Sequence, residues 1–552
     1  MANSMDYDVI IVGAGNGGLT CANEIASNGY RVLLLDKHNL PGGVASSFVR
    51  GRFEYEASLH ELCDLGTEEH PGKVKLLLDR LGVSEPFENE MTLFRTVVKG
   101  ENGYDVSVKA GREDFVRSML EICPESGKSL EKLLKLLDST AKALEYNERT
   151  HGKPSKLVML LKYSGFLISA SHSLDDVLLS LGFEDKARSI LETYWSYLGV
   201  PANEINAFHY LEMMFGYING GAAVPRNRSY AISLALADRA MDKGCEIRLD
   251  SEVTEFILDG DRICGVKIAS GEEFRAREVV SNIIPHNVAN MLPSDKVRDR
   301  DKKLLNARRF GISFLCIYIG LDVSAEELGM NYTTFISDSL FSDRNTLRRQ
   351  FPDVYVVNCL NAVVDDATPP GTSTLFITVP VYPQYFMEDV TAGNYRAFKN
   401  AAAEHYIDDC ERTLGVSIRE HIEEISVTTP VTFARYFNAP EGTAYGYELS
   451  HWDGLMARML DKINKFDFDG LTFCGGHGET GDGFGVTYLS GIEAAEKVVR
   501  SLRFKDRLTK IRDITRIARK DADKPAADVS GKHAADASGK PAAKASGKMK
   551  GA

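Results

Sequence analysis

The sequence has nine cysteines, at 21, 63, 123, 245, 264, 316, 359, 410 and 474, but no Cys-x-x-Cys pair among them. An odd, scattered set in a large chain excludes a disulfide framework and a zinc site, and fits reduced thiols. No apolar run approaches the roughly 20 residues needed to span a bilayer. The N-terminal stretch carries Asp6 and Asp8 where a secretory leader would be basic, and it passes straight into an apolar strand, so no leader is expected. Positive charge is also scarce. Lys and Arg number 65 against 78 Asp and Glu, a net charge of −13. That balance argues against a general nucleic-acid binder, which needs a basic face. The expected location is cytoplasmic, with peripheral membrane contact.

What is present is ordinary globular material: 44% apolar and 26% charged residues over 552 positions, enough for two or three folded units. Val9-Ile10-Ile11-Val12 is a β-branched run typical of a buried parallel strand. Gly13-Ala14-Gly15-Asn16-Gly17-Gly18 follows at once. Then Leu19 to Asn28 reads as a helix stopped by Gly29, and Arg31 to Leu35 as a second strand. From about 110 to 190 the pattern is helical. Tyr230 to Met241 reads as a helix, Glu246 to Leu249 as a strand, and Val253 to Ile268 as a hairpin turning at Asp259-Gly260-Asp261. Ser313 to Leu321 and Thr374 to Val379 read as strands of a second sheet. Gly470 to Leu502 reads as strand, glycine-rich turn and helix. Arg500 to Lys520 is basic and carries Leu508, Ile511, Ile514 and Ile517 at near-helical spacing. Lys524, Lys532, Lys540 and Lys548 recur every eight residues in an Ala/Gly/Ser-rich tail, 521–552, which is expected to be disordered.

The glycine turn carries the first chemistry. Gly13 permits a tight turn after the strand, Gly15 lets backbone approach a pyrophosphate, and Gly18 lets helix and strand pack closely. The helix N-terminus offers unpaired N–H donors and the positive dipole end to phosphates. Asp36, ending the second strand, can accept hydrogen bonds from ribose hydroxyls. These residues alone leave FAD and NAD open.

The following residues favour FAD. Leu40-Pro41-Gly42-Gly43 resembles the paired-glycine motif of the flavoprotein superfamily containing amine oxidases and phytoene desaturases. Gly51 to His60 (GRFEYEASLH) is similar to the next stretch in carotenoid isomerases and retinol saturases, with Ser58 where that family usually has glycine. A block from Gly244 to Pro285, with Val253 and Val279-Val280-Ser281-Asn282, resembles the family's second FAD segment. A third, Phe473-Cys474-Gly475-Gly476 through Gly481-Asp482-Gly483-Phe484-Gly485 to Ala495, resembles its C-terminal flavin motif. Thr429-Pro430-Val431-Thr432 and Gly442-Thr443-Ala444-Tyr445-Gly446 lean toward carotenoid isomerases. The family's proline and paired glycines near 226 are replaced by Pro225-Arg226-Asn227-Arg228-Ser229, two arginines that can face an anionic group or solvent.

The resemblance implies an α/β fold. A Rossmann-like FAD-binding domain is assembled from 1–105, 225–300 and 425–505. A discontinuous α+β substrate domain, with mixed sheet and helical cap, comes from 106–224 and 301–424, and a basic amphipathic helix covers 506–520. It implies FAD held by Gly13, Gly15, Gly18, Asp36, Gly42, Gly43, Val253, Gly475, Gly476, Asp482, Gly483 and Val486. It implies hydride chemistry on a long lipophilic polyene, such as a carotenoid, retinoid or unsaturated lipid, which is desaturated, saturated or isomerised. His60, Glu56 and Glu479 are the candidate proton-handling residues, and no metal is expected. With one βαβ fingerprint, a separate NAD(P)H domain is not expected. The electron partner would then be oxygen, a quinone or a redox protein. The alternatives are a flavin amine oxidase, for which Tyr436 and Tyr445 are available aromatics, and a flavin-binding protein without turnover. The leucine-rich run Leu157 to Ile168 and the basic helix are the candidate membrane-facing segments.

Overall fold

A computed structural model describes residues 5–67, 69–150, 154–449, 466, 468–478 and 481–522. Glu479 and residues 523–552 of the Lys-rich tail lie outside that set. The first βαβ unit forms as its sequence pattern requires: β1 (Tyr7–Val12), α1 (Asn16–Ser27) and β2 (Val32–Leu35). Its apolar strands are buried on both faces, and β1 and β2 pair in parallel with Ile10 opposite Leu33. The strand Glu273–Ser281 lies parallel on the other side of β1, with Val12 opposite Ser281. Leu471–Phe473 follows in parallel, with Phe473 opposite Ser281. Glu246–Arg248 extends the sheet beyond β2, and the hairpin Val253–Asp259 with Arg262–Ile268 completes seven strands.

This register positions the site. Val12, Ser281 and Phe473 stand side by side at the carboxyl ends of three parallel strands, so the loops that follow them leave the sheet at one edge. That edge is where open α/β sheets bind ligands. Backbone bonds hold the three exits together: Asn282 N–H donates to the Val12 carbonyl at 2.8 Å, and Cys474 N–H to the Ser281 carbonyl at 2.9 Å.

A second sheet of seven strands runs in the order Ile422–Thr428, Ser313–Leu321, Ser373–Val381, Val354–Cys359, Thr333–Ser337, Thr92–Val98 and Tyr104–Lys109. All its pairings are antiparallel except the parallel contact between Thr333–Ser337 and Thr92–Val98. One core lies between this sheet and the helix Tyr395–Leu414, through Ile317, Ile319, Ile377, Phe398, Ala402 and Tyr406. A different core joins Phe94 and Phe335 to the helices Gly127–Arg149 and Ala207–Gly220, through Leu130, Leu133, Leu137 and Leu211. A three-stranded sheet, Leu62–Cys63, Ala222–Pro225 and Phe87–Asn89, lies among these elements.

Residues 1–500 form one compact unit and residues 501–552 another. In the second, the described residues 501–522 are helical, with Phe504, Leu508, Ile511 and Ile514 exposed. Among the described residues no helix is long and apolar enough to cross a membrane, and no group of three or more His, Cys, Asp or Glu is placed to hold a metal ion.

Candidate functional site

The carboxyl edge of the first sheet opens into a cavity of about 680 Å³, inside the range of roughly 300–1,000 Å³ typical of small-molecule sites. Eleven of the twelve expected cofactor residues line it: Gly13, Gly15, Asp36, Gly42, Gly43, Val253, Gly475, Gly476, Asp482, Gly483 and Val486. Gly18, the twelfth, sits behind the wall, where a side chain would collide with the Gly13 carbonyl. It supports the turn by close packing.

The first glycine block and the last meet directly. A Cβ on Gly17 would lie 2.5 Å from both the Cα and the N of Gly475, so the two motifs touch backbone to backbone. A Cβ on Gly15 would press to 2.9 Å from the Asn282 Nδ2. Three sequence-distant loops therefore converge on a surface that only bare backbone can form.

The cradle fits a dinucleotide on its own chemistry. α1 begins at Gly15 with no side-chain cap, leaving its first amides for an anion. The Asn16 Oδ1, buried at that helix start and on the cavity wall, has no hydrogen-bond partner. Asp36 accepts from the Ala14 N–H at 2.6 Å and the His38 N–H at 2.7 Å, and each carboxylate oxygen keeps a further acceptor site. Burial raises the Asp36 carboxyl above its ordinary value, while the two amides pull it back. These features fit FAD: amides and glycines for the pyrophosphate, Asp36 for a ribose, and Gly475, Gly476 and the Asp482–Val486 stretch for the flavin end.

Beyond the cradle the same cavity continues along the second sheet and the helical layer. Its walls there include Leu137, Tyr197, Leu211, Phe215, Phe314, Phe376 and Tyr445. His60 stands in this wall, its ring between those of Tyr197 and Phe376 at 5.2 and 5.0 Å. Its Nε2 pairs with the Thr378 hydroxyl at 2.9 Å. Burial pushes the imidazole down to about 3, so His60 is neutral at ordinary pH and acts as a fixed polar contact. Glu56 faces elsewhere. Its carboxylate accepts from the Ser229 N–H at 2.8 Å and hydroxyl at 2.6 Å, and it lines a small neighbouring pocket. Burial raises its carboxyl despite those donors.

The arginines near 226 are already engaged. Arg226 pairs with Glu88 at 2.6 Å and Asp366 at 2.7 Å. Arg228 pairs with Glu54 at 3.2 Å and donates to the carbonyls of Glu54 and Ala367. Neither arginine simply faces solvent: both carboxylates flanking Arg226 pair with it, and Arg228 is buried with Glu54 and two carbonyls, its Nε alone lacking a partner. Tyr445 meets Phe314 edge-on at 5.8 Å and Tyr436 stands beside His38 at 5.9 Å. Among the described residues no ring contact joins the two tyrosines. Sequence reasoning missed Glu61, Tyr197, Phe376 and Thr378. Only Glu61, adjacent to His60, had any sequence signal.

A Rossmann-type cradle opening into an apolar chamber defines a dinucleotide-dependent oxidoreductase class. Known proteins agree. The family of NAD(P)-binding Rossmann-like domains matches residues 11–80. The all-trans-retinol 13,14-reductase of Danio rerio is 25% identical, covering 80% of this chain and 77% of that protein. A 4,4'-diapophytoene desaturase (4,4'-diapolycopene-forming) of Methylomonas sp is 26% identical, over 92% of this chain and 98% of its own length. The chloroplastic prolycopene isomerase 2 of an Oncidium hybrid cultivar is 25% identical, over 90% and 85%. Among solved structures, an oxidoreductase from Methanosarcina mazei has TM-score 0.61 at 17% identity, covering 89% of this chain and 100% of that one. Cyclohexylamine oxidase from Brevibacterium oxydans has TM-score 0.57 at 16%, covering 90% and 100%. The structural likenesses establish the fold alone. The chain is similar to oxidoreductases and isomerases of the phytoene desaturase, carotenoid isomerase and retinol reductase type, at 25–26% identity over most of its length.

Proposed function

We propose that this protein is an FAD-dependent oxidoreductase that desaturates, saturates or isomerises double bonds of a long lipophilic polyene, a carotenoid, retinoid or unsaturated lipid. The observation that carries the reading is the continuity of one cavity, glycine cradle at one end and aromatic–aliphatic chamber at the other. Bound FAD supplies hydride acceptance or donation. The chain's own residues do the rest. Leu137, Leu211, Phe215 and Phe376 exclude water and bind an apolar chain, while Tyr197 and Tyr445 add amphipathic surface. Neutral His60, fixed by Thr378, orients the substrate without adding charge to an apolar chamber.

In this reading residues 1–105, 225–300 and 425–505 serve the cofactor, and 106–224 and 301–424 serve the substrate. The electron partner is oxygen, a quinone or a redox protein. A lipophilic substrate must be drawn from a membrane. The helix Lys156–Lys162 has no buried residue and exposes Leu157, Leu160 and Leu161 between two lysines, a pattern suited to a lipid surface. It adjoins Ser164–Ser171, which packs on the helix Gly127–Arg149 that lines the chamber.

The test is product analysis. The purified holoprotein, with flavin oxidised or pre-reduced, is mixed anaerobically with carotenoid, retinoid and polyunsaturated fatty-acid micelles, and the extracts are separated. A product with two fewer hydrogens means desaturation, with two more saturation, and of equal mass but altered geometry isomerisation. No product from any polyene, with a simple amine oxidised instead, would replace this reading by the amine-oxidase one.

A further inference from the structure

Beside His60, the chamber-wall residue Glu61 and its buried neighbour Glu90 are two carboxyl groups with no basic partner among the described residues. Glu61 precedes the strand Leu62–Cys63 and Glu90 follows Phe87–Asn89. Both strands pair with Ala222–Pro225 in the small three-stranded sheet, and this brings the two acids together across it. They are 6% and 3% exposed. Glu61 lines the chamber itself.

Hydrogen-bond accounting makes the pair informative. Glu61 Oε2 accepts from the Thr333 hydroxyl at 3.2 Å, and that hydroxyl is fixed in turn by the Asn358 amide at 2.9 Å. Glu61 Oε1 and both oxygens of Glu90 have no well-formed hydrogen bond, and the Tyr194 and Tyr217 hydroxyls beside Glu61 only partly offset its burial. An ionised carboxylate is an acceptor only, and two such ions buried together are strongly disfavoured. One proton between them provides the missing donor and removes one charge. The titratable groups facing the pair are Tyr194, Tyr197, Tyr217 and Tyr332, with Cys63 farther out. They are phenols and a thiol, whose own protons burial retains.

We propose that Glu61 and Glu90 share one proton at neutral pH, and that Glu61 is the catalytic acid–base group that gives or takes the proton of the double-bond reaction, with Glu90 as its positioning partner. This rests on the polyene reading above.

In the saturating direction one alkene carbon receives a hydride, with its electron pair, from the reduced cofactor, and the π bond breaks. The adjacent carbon takes the proton from the Glu61 O–H, which water later restores. In the desaturating direction one carbon yields hydride to the oxidised cofactor. Its neighbour loses a proton to Glu61, and the C–H electron pair left behind becomes the new π bond. Isomerisation needs the same proton delivered and withdrawn, with no net redox change. Burial pushes Glu61 up to about 7 and raises Glu90 as well, the Glu61 charge adding to the effect on Glu90. The acid form is thus present at neutral pH and its conjugate base within reach, the condition for efficient proton transfer. As two interacting sites, the pair titrates as a unit.

The experiment uses the FAD-loaded full chain and its Glu61→Gln, Glu90→Gln and double variants. Infrared difference spectra between pH 5 and 8.5 in H2O and D2O report the protonated carboxyl independently of turnover. Flavin absorbance reports folding, and the polyene's own absorption reports binding. The expected result is a carboxylic-acid band in the wild type, titrating near pH 7 and missing from the double variant. Glu61→Gln should keep polyene binding while losing about 10²–10⁴-fold in turnover. Glu90→Gln should move the pH–rate midpoint downward, because the like charge is gone. No titrating band, or Glu61→Gln turnover within about twofold of wild type with an unmoved pH profile, overturns the proposal. A wild type that binds FAD and shows the band but converts no polyene overturns only the catalytic role, together with the substrate reading.

Discussion

Replacing His60 with glutamine tests the electrostatics of the chamber. Gln keeps a polar partner for the Thr378 hydroxyl but cannot titrate. In the folded wild type the imidazole sits about 3 rather than 6.5, lowered by burial. Above pH 6.5 both folded and unfolded His60 are neutral and the variant differs only by its packing. As pH falls below 6.5 the unfolded imidazole takes a proton that the folded one refuses, so wild-type stability is lost progressively until about pH 3. Each pH unit is worth about 1.4 kcal/mol. The loss is about 3 kcal/mol by pH 4.5 and on the order of 5 kcal/mol at the end of the window. Other groups titrate equally in both proteins and cancel in the difference, save those touching His60. The assay is urea unfolding of wild type and His60→Gln at pH 7.5 and 4.5, together with ¹⁵N-histidine spectra of the 12 imidazoles. The resonance missing from the variant should remain neutral down to pH 4. A midpoint near 6.5 for that resonance, or a stability difference unchanged by pH, would refute the description of His60 as a desolvated, neutral wall residue.

Three further expectations concern the cradle and the surface. Gly17→Ala places a methyl group 2.5 Å from Gly475, and should expel FAD from the purified protein and destabilise it by about 1–3 kcal/mol. Gly127→Ala, whose nearest neighbour would lie at an ordinary 3.6 Å, should leave flavin content unchanged, and equal flavin content in both variants would contradict the convergence of the glycine blocks. Asp36→Asn substitutes a donor where the Ala14 and His38 amides require acceptors. It should weaken FAD binding by about 1–2 kcal/mol, or roughly 5–30-fold, in a fluorescence titration. Leu160→Glu with Leu161→Glu should abolish co-sedimentation with liposomes while flavin content stays normal, since each buried leucine contributes about 1.5–3 kcal/mol to lipid contact.

The nucleotide half was readable because its signals are local. A β-branched run, glycines at fixed offsets and an acid ending β2 specify one βαβ unit within 30 residues. Gly475 and Asp482 were found through a resemblance. The contact of Gly475 with Gly17 follows from the parallel register of Val12, Ser281 and Phe473, which no local pattern states. The second sheet was half legible. Ser313–Leu321 and Ser373–Val381 look like strands, but recruitment of Thr92–Val98 and Tyr104–Lys109 to that sheet depends on pairings more than 200 residues apart in sequence for Thr92–Val98. The acids were least legible. Glu61 and Glu90 read like any surface glutamate until Ala222–Pro225 brings their strands together and the tyrosines close over them. Arg226 and Arg228 show the converse, arginines whose carboxylate partners at 88, 366 and 54 are distant in sequence and come together only in the fold.

Whether one cavity holds the flavin against a polyene is tested directly by stopped-flow absorption of the FAD-loaded protein. Under anaerobic conditions the oxidised and the pre-reduced protein are each mixed with a single polyene. A reaction is expected in at least one case: bleaching of the oxidised flavin, reoxidation of the reduced flavin, or a shift of the polyene spectrum with the flavin unchanged at the end. Flavin and polyene spectra that remain those of the separate components, for carotenoid, retinoid and unsaturated lipid alike, would contradict it.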